Sequence, residues 1–435
     1  MCARIAGRGQ LAHAIFGLLV LLTVSAVSLA ATACTSPSKP HEPEPPRTVV
    51  MNGAQLAAAK ARYAAGDPEL VGAVGNLTVQ ADQWLRQGPW TVVDKDQTPP
   101  SGDKHDYFSQ APYFWPTAPK TAANPYGCPY VEKDGQRNPD VDKMTDRPEV
   151  GKVFEAVYEL TLAWYYTAQP AYAQHATDIL RAWFVTPATR MNPNLNHAQF
   201  IPCQKDGRSI GIIDFSQGFT SLLDATAILD TGAPGWTATD RDGFTAWNKQ
   251  FLDWLRQGTF GREEAAQKNN HGTFFDMQAA AIALKIGDTT TARNLILDAR
   301  TTRIDAQLSS DGGQPAELAR TRGWHYSTFN LVALTRLAAI GDHLGVDLWH
   351  YTGPKGANIL KAVDFLIPAA TRTTPWVYPD LDPHWYAAND IVQAAADHGD
   401  AAARAAVPRL ETPPGGNLYP VRPAAEQLDS IATTG

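Results

Sequence analysis

The sequence predicts an all-α fold in which successive helices pair as hairpins, arranged as a helical toroid or a large irregular bundle. Apolar residues recur at helical spacing in eight segments, whereas strand-like alternation is scarce. Loops containing Gly, Pro and Asp separate the segments, as expected for packed hairpins. The predicted helices span residues 151–168, 172–184, 217–230, 242–257, 273–285, 291–299, 327–344 and 357–367.

The N-terminal segment has the pattern of an export signal. Arg4 and Arg8 precede an apolar stretch from Ile15 to Ala30, so residues 1–33 are predicted to be removed. The next residue, Cys34, resembles the cysteine that is lipid-modified in bacterial lipoproteins; the alternative is an ordinary secretory signal that is cut before it. We therefore expect an exported protein, anchored by lipid to the outer face of a bacterial membrane or secreted.

The mature chain is predicted to hold one large domain between two less regular ends. Residues 34–50 are rich in proline and charge and read as a tether, 51–400 as the toroid domain and 401–435 as a C-terminal extension. In an oxidising compartment Cys128 and Cys203 are predicted to form a disulfide. The alternative is two separate buried thiols.

Composition narrows the class of partner. The chain has 435 residues, 44% of them hydrophobic, which suffices for a large core. Its formal net charge of −7 disfavours a general nucleic-acid binder, so a polyanionic ligand would need a locally basic site. No HExxH or Cys/His spacing points to a metal, and Asp380, Asp382 and His384 read as ordinary turn residues. We expect no cofactor and a monomer.

Two clusters of polar residues stand where predicted helices begin. In the first, Lys268, Asn269, Asn270 and His271 precede an apolar run. One asparagine has a structural explanation as an N-cap. A histidine in a first turn lies near the positive end of the helix dipole, which favours the neutral ring that can act as a base.

The second cluster is a run of charged and aromatic residues, Glu317, Arg320, Arg322, His325 and Tyr326, at the start of a later helix. A surface salt-bridge network is the ordinary explanation of such a run. Two such clusters, each flanked by glycine and aromatic residues, make a functional site the better hypothesis. Glu317 is expected to orient an arginine.

Two long polar and aromatic loops supply candidate binding residues, since loops of this kind often carry function. Aromatic faces suit pyranose rings and cations suit carboxylates. The alternative is that these side chains only pack the loops. The candidates are Lys104, His105, Tyr107, Tyr113 and Trp115 in the first loop, and Asn196, His197 and Arg208 in the second.

Four blocks of the sequence carry a family resemblance. APYFWP, MNPNLNHAQFIP, NNHGTFFDMQAAAIAL and QPAELARTRGWHYSTFNLVAL, in this order, resemble the alginate lyase superfamily of polysaccharide lyases over about residues 100 to 370. The resemblance implies an incomplete (α/α) toroid whose long loops line a deep groove for an acidic polysaccharide. It also implies cleavage of a uronic-acid polymer by β-elimination, with Asn270, His271, Arg320 and Tyr326 as the catalytic residues. Arg322 competes for the arginine role, and His325 is expected to bind substrate.

The residue types agree with that chemistry. Asn270 and Arg320 suit a uronate carboxylate, which must be polarised before the C5 proton can leave. Either His271 or Tyr326 is then the base, and Tyr326 returns a proton to O4. The expected substrate is alginate or a β-1,4-glucuronan. The alternatives are a non-catalytic acidic-glycan-binding lipoprotein and a toroid glycoside hydrolase, which would need two carboxylates.

Overall fold

The computed structural model describes residues 44–426, so the predicted signal, Cys34 and the last nine residues lie outside the described chain. Fifteen α-helices and several short 3₁₀ and π-helical turns account for most of this part. They are α1 (Gly53–Ala64), α2 (Pro68–Trp84), α3 (Asp146–Thr167), α4 (Pro170–Leu180), α5 (Ser216–Leu229), α6 (Ala238–Gln257), α7 (Thr259–Ala265), α8 (Asn270–Lys285), α9 (Thr289–Ala299), α10 (Asp305–Gln307), α11 (Pro315–Leu318), α12 (Gly323–His343), α13 (Ile359–Ala370), α14 (Asn389–Asp397) and α15 (Ala401–Ala406). The predicted all-α class is confirmed.

Four helices form the centre of the domain. In the described chain α3 packs on α5, α5 on α8, and α8 on α12. Their side chains are buried almost all round, as expected for helices enclosed by other helices. The neighbouring helices α2, α4, α9, α13 and α14 pack against this inner row and form the outer layer.

Short strands connect the long loops near one end of the inner helices. Strand β1 (Phe108–Gln110) pairs in parallel with β4 (His197–Phe200), with Phe108 opposite His197. Strand β2 (Phe114–Pro116) forms an antiparallel hairpin with β3 (Tyr130–Glu132), with Trp115 opposite Val131. The two loops predicted to carry function are therefore joined to each other.

The predicted disulfide is confirmed. Cys128 and Cys203 are bonded across 75 residues of sequence, with their Cα atoms 6.6 Å apart. The bond ties the loop before β3 to the turn that follows β4. It therefore fixes the hairpin against the second loop.

Both ends of the described chain are fastened to the inner helices. The backbone N–H groups of Val49, Val50 and Met51 donate to the buried carboxylate of Asp224 on α5. Near the other end, Arg422 is buried and pairs with Asp390 and Glu426. No helix within residues 44–426 is long and apolar enough to cross a membrane.

Candidate active site

A cavity of about 890 Å³, here called the central cavity, opens where the hairpin and the starts of α3, α8 and α12 meet. Five arginines, three histidines and four carboxylates line it, so arginines outnumber the acidic residues there. The arginines are Arg137, Arg147, Arg208, Arg320 and Arg322, and the histidines are His271, His325 and His384. Both sequence clusters therefore meet in one cavity.

The start of α8 is shaped by capping and by a close backbone approach. The side-chain oxygen of Asn269 accepts a hydrogen bond from the backbone N–H of His271, so Asn269 is the N-cap. A Cβ at Gly272 would lie 2.2 Å from the carbonyl oxygen of Gln267 and 2.5 Å from Nη1 of Arg303. Only glycine fits there, and Asn270 and His271 are consequently held in the first turn of the helix.

Asn270 is fully buried and is held by Glu317. Its backbone N–H donates to one oxygen of that carboxylate and its side-chain Nδ2 donates to the other, each over 2.7 Å. Burial raises the pKa of Glu317, and these hydrogen bonds oppose the rise. Glu317 thus orients the asparagine, whereas the sequence led us to expect an arginine as its partner.

His271 lines the central cavity with its ring tied at one nitrogen. Its Nδ1 lies 2.8 Å from Oε1 of Glu264 on α7, whose side chain is completely buried. Its other nitrogen, Nε2, has no hydrogen-bond partner within residues 44–426. A ring in this position presents one nitrogen to the cavity.

Tyr326 lies in the first turn of α12 beside a second tyrosine and an arginine. Its hydroxyl oxygen is 2.7 Å from that of Tyr113, and the guanidinium of Arg320 lies over its ring, 3.8 Å from the centroid. Burial and the neighbouring Tyr113 raise the pKa of Tyr326 well above its ordinary value, although Arg320 acts in the opposite direction. The hydroxyl is therefore protonated at neutral pH.

Arg320 is held in place by Asp134, which follows β3. Its Nε lies 3.2 Å from both carboxylate oxygens, and Nη2 also bonds to Oδ1. The same carboxylate accepts from the hydroxyl of Thr321. Asp134 and the face of Tyr326 together fix the plane of the guanidinium.

Two further arginines reach the central cavity from the loops. Arg208 lies with its guanidinium 5.1 Å from the ring centroid of Phe114 and has no ion pair within the described chain; burial lowers its pKa. Arg147, in the first turn of α3, approaches the buried Asp214 at 3.5 Å. Both residues line the central cavity.

Six of the predicted binding residues lie away from this cavity. Tyr107 is completely buried and its hydroxyl donates to Asp214, so the core encloses it. The other five are engaged in contacts of the loops themselves. Lys104 bonds to the carbonyl of Lys95, His105 to that of Arg190, Trp115 to that of Gln136 and His197 to that of Asp206, while Asn196 accepts from Trp254.

The remaining predicted residues do line the cavity: Asn270, His271, Arg320, Tyr326, Tyr113, Arg208, Arg322 and His325. His325 stacks on Phe329, with ring centroids 5.8 Å apart. The backbone of Arg322 bridges to Asp380, which brings Leu381, Asp382 and His384 to the cavity rim. Asp382 and His384 look like ordinary turn residues in the sequence, because no local pattern distinguishes them.

Four residues of the site were not predicted from the sequence. Glu264, Asp134, Arg147 and Asp214 each contact a cavity residue or line the cavity, yet none stands in a recognisable motif. Glu264 stands only seven residues before His271, but the two residues lie on separate helices, α7 and α8, so their spacing gave no helical signal. Within residues 44–426 no group of three or more His, Cys, Asp or Glu residues is arranged to hold a metal.

Comparison with known proteins finds similar chains. A family model described as alginate lyase matches residues 91–376. A solved alginate lyase from Bacteroides ovatus is 35% identical, with a TM-score of 0.80, covering 86% of this chain and 98% of its own. A variant of alginate lyase A1-III complexed with a tetrasaccharide shares the fold at 16% identity and a TM-score of 0.50, covering 80% and 93%. A search of curated proteins gave no match.

The helical fold and the family match define the chain as a polysaccharide lyase. It belongs to the alginate lyase family, since the family model covers well over half of its length. The resemblance seen in the sequence is thereby confirmed.

Proposed function

We propose that the protein cleaves alginate by β-elimination in the central cavity, leaving an unsaturated uronate end. The family and the 35%-identical alginate lyase support this substrate. The observation that supports the mechanism is that an imidazole and a protonated tyrosine hydroxyl line the same cavity, together with five arginines. A base and an acid are both needed for this reaction.

In the proposed reaction Arg320 and Asn270 hold the carboxylate of the uronate that is cut. Their donors stabilise the charge that flows into this group as the C5 proton leaves. The C5–H electrons form the C4=C5 bond, the C4–O4 bond breaks, and O4 takes a proton from Tyr326. When His271 is the base, it then releases its proton to solvent and Tyr326 regains one from solvent, so atoms and charge balance; when Tyr326 is both base and acid, the proton it takes from C5 is the one it gives to O4.

The geometry favours His271 as the base when the C5 proton and O4 lie on opposite faces of the sugar, as in α-L-guluronate. His271 lines the cavity with Nδ1 engaged by Glu264, which leaves Nε2 for the substrate, and Tyr326 is protonated and able to act as the acid. In β-D-mannuronate and β-D-glucuronate the proton and O4 share a face. There Tyr326 would serve as base and acid and must first lose its own proton.

Because the pKa of Tyr326 is raised, cleavage of mannuronate blocks and cleavage of guluronate blocks should depend differently on pH. Because the tyrosinate fraction grows as the pH rises, cleavage of mannuronate blocks is expected to increase with pH relative to cleavage of guluronate blocks. Initial rates on the two block polymers between pH 6 and about 9 measure the ratio. A ratio that does not change with pH would contradict the assignment of Tyr326 as base on mannuronate.

The activity itself is tested by incubating the protein with polyguluronate, polymannuronate and a β-1,4-glucuronan. The expected result is ultraviolet absorbance from the unsaturated uronate on the alginate blocks. Binding with no absorbance on any polymer would replace the lyase with a glycan-binding protein. New reducing ends without absorbance would indicate hydrolysis.

Variants separate the two roles. Tyr326→Phe is expected to lower turnover on both block polymers by at least about 100-fold, because both routes take the O4 proton from it. His271→Ala is expected to lower cleavage of guluronate blocks by a similar factor and that of mannuronate blocks far less. Full activity of Tyr326→Phe on either polymer would show that another group is the acid.

We also propose that the chain is exported and anchored through a lipid on Cys34, on the strength of the signal pattern in residues 1–33. Expression in a bacterium with labelled fatty acid is expected to label the wild type. Cys34→Ala should be unlabelled. Equal labelling of both chains would contradict the anchor.

A further inference from the structure

We infer that Glu264 is a positioning residue that holds His271 in the tautomer whose Nδ1 carries the proton, so that Nε2 is the basic nitrogen in the central cavity. The inference rests on the proposed β-elimination, because it names the group that prepares the base. It assigns a function to a buried carboxylate that the reaction itself does not touch.

The contact is a direct and specific one. Oε1 of Glu264 lies 2.8 Å from Nδ1 of His271, and the Glu264 side chain has no solvent exposure, compared with 16% for the histidine. The second oxygen, Oε2, is buried and has no hydrogen-bond partner within residues 44–426. The imidazole is thus the only side chain of the described chain that bonds this carboxylate.

The direction of the hydrogen bond decides which nitrogen is the base. An ionised carboxylate only accepts, so Nδ1 must donate and Nε2 keeps its lone pair. A protonated Glu264 could instead donate to Nδ1, which would put the ring proton on Nε2 and leave no base in the cavity. Burial raises the pKa of Glu264, while His271, Arg208 and Arg303 favour its ionised form.

Without such a partner the ring would not be expected to adopt this form. Neutral histidine in water prefers the proton on Nε2, so a base at Nε2 needs a fixed acceptor at Nδ1. An orienting group of this kind commonly sets the tautomer of a catalytic histidine. Glu264 is the acceptor that the structure provides.

The scaffold around the pair keeps the distance short. Arg303 is buried, and its guanidinium donates to the carbonyl oxygens of Ala265 and Gln267 at the end of α7. The same guanidinium packs against Gly272 of α8 and pairs with Asp276 one turn further on. Arg303 therefore fixes the helix that carries Glu264 to the helix that carries His271.

The tautomer can be read directly in the wild-type protein. Nitrogen-15 chemical shifts of selectively labelled histidine, with His271→Ala used to identify the signal, are expected to show Nδ1 protonated and Nε2 unprotonated at neutral pH. A ring with its proton on Nε2 would overturn the inference. This measurement does not depend on the protein having lyase activity.

Variants of Glu264 test the consequence for catalysis. Glu264→Gln keeps a weaker acceptor and Glu264→Leu keeps none. Guluronate cleavage should therefore be fastest in the wild type, slower in Glu264→Gln and slowest in Glu264→Leu. Glu264→Leu should be at least about tenfold slower than Glu264→Gln. Mannuronate cleavage, which uses Tyr326 as the base, should change far less. The exposed neighbour gives matched controls, Glu263→Gln and Glu263→Leu, which should match the wild type.

The outcomes separate this inference from the proposed function. Equal losses on both block polymers would mean that Glu264 acts only on the fold, and unchanged guluronate cleavage in Glu264→Leu would also reject a positioning role. If the wild type cleaves no polymer, the proposed function fails while the nitrogen shifts still decide the tautomer. Thermal unfolding of each variant checks folding, and where a variant does not fold the wild-type shifts decide.

Discussion

The carboxylate of Glu317 accepts hydrogen bonds from two buried donors of Asn270, so substitution of Glu317 is expected to destabilise the fold. Glu317→Ala would leave the backbone N–H and the Nδ2 group of Asn270 without their acceptor. Since each of the two orphaned donors costs about 1–3 kcal/mol, we expect the free energy of unfolding to fall by about 2–6 kcal/mol. Glu317→Gln, which keeps one acceptor, should lose less. Denaturant unfolding measures both, and equal losses would contradict this account.

Tyr113 contacts the proposed acid, Tyr326, through a pair of hydroxyl oxygens 2.7 Å apart. Tyr113→Phe keeps the ring and removes the contact, so turnover on alginate is expected to fall about tenfold, the value of one hydrogen bond. Steady-state kinetics on both block polymers measures it. Trp115→Phe is the control, because Trp115 lies outside the central cavity. Similar losses in the two variants would point to a general effect on the hairpin.

Residue types at helix starts could be predicted from the sequence, but their partners could not. Asn270 and His271 stand out because two polar groups in one first turn exceed what capping needs. Asp134 meets Arg320 across 186 residues, and acidic residues occur in so many loops that none was distinguished. Tyr107 was a candidate for sugar binding because it is an aromatic residue in a polar loop, yet it lies in the core. Its burial depends on how the loop packs against the helices, which the sequence does not show.

At the scale of elements, the disulfide joins the β2–β3 hairpin to the turn after β4, and both carry cavity residues. Replacing Cys128 and Cys203 by serine is expected to lower the free energy of unfolding by roughly 2–4 kcal/mol, since a long loop is no longer closed in the unfolded chain. Denaturant unfolding with and without a reducing agent measures the effect. The reducing agent should shift the wild type and leave the double variant unchanged; a shift in both would contradict this origin.

The predicted helices are all present, and their boundaries differ in an informative way. Helix α8 begins at Asn270 and α12 at Gly323, three and four residues before the predicted starts at 273 and 327. Asn270, His271 and Tyr326 therefore belong to first turns of helices, whereas Arg320 lies in the turn between α11 and α12. Helix α1 was not predicted because its buried side consists of Leu56 with Gly53 and Ala59, which leaves almost no apolar pattern.

At the scale of the whole molecule, buried charges join the end of the described chain to the inner helices. Arg336 of α12 donates to the carbonyl of Ala425, to hydroxyls of α5 and to Glu426. Arg422 pairs with Asp390 of α14 and with Glu426. From the sequence, residues 401–435 were predicted to be a C-terminal extension, because charged pairs so far apart in the sequence leave no local pattern.

This buried network also predicts how stability depends on pH. Glu155 and Glu159 of α3 face Glu426 and Arg422, and burial raises the pKa of both glutamates, with mutual repulsion raising that of Glu159 further. A raised pKa means that the folded state keeps protons which the unfolded state has lost above its ordinary value of 4.5. This contribution is therefore fully present below that pH and is lost as the pH rises through the raised values.

Glu159→Gln isolates the effect, because the amide oxygen can still accept from the indole N–H of Trp84, which lies 2.6 Å from the carboxylate. We expect the free energy of unfolding of the variant to decline less between pH 5 and 8 than that of the wild type, so that the variant gains relative stability as the pH rises. Denaturant unfolding at constant ionic strength measures both slopes. Glu263→Gln, an exposed change of the same charge, should keep the wild-type slope. A steeper slope in Glu159→Gln would show that the carboxylate is charged in the folded protein and stabilised by Arg422.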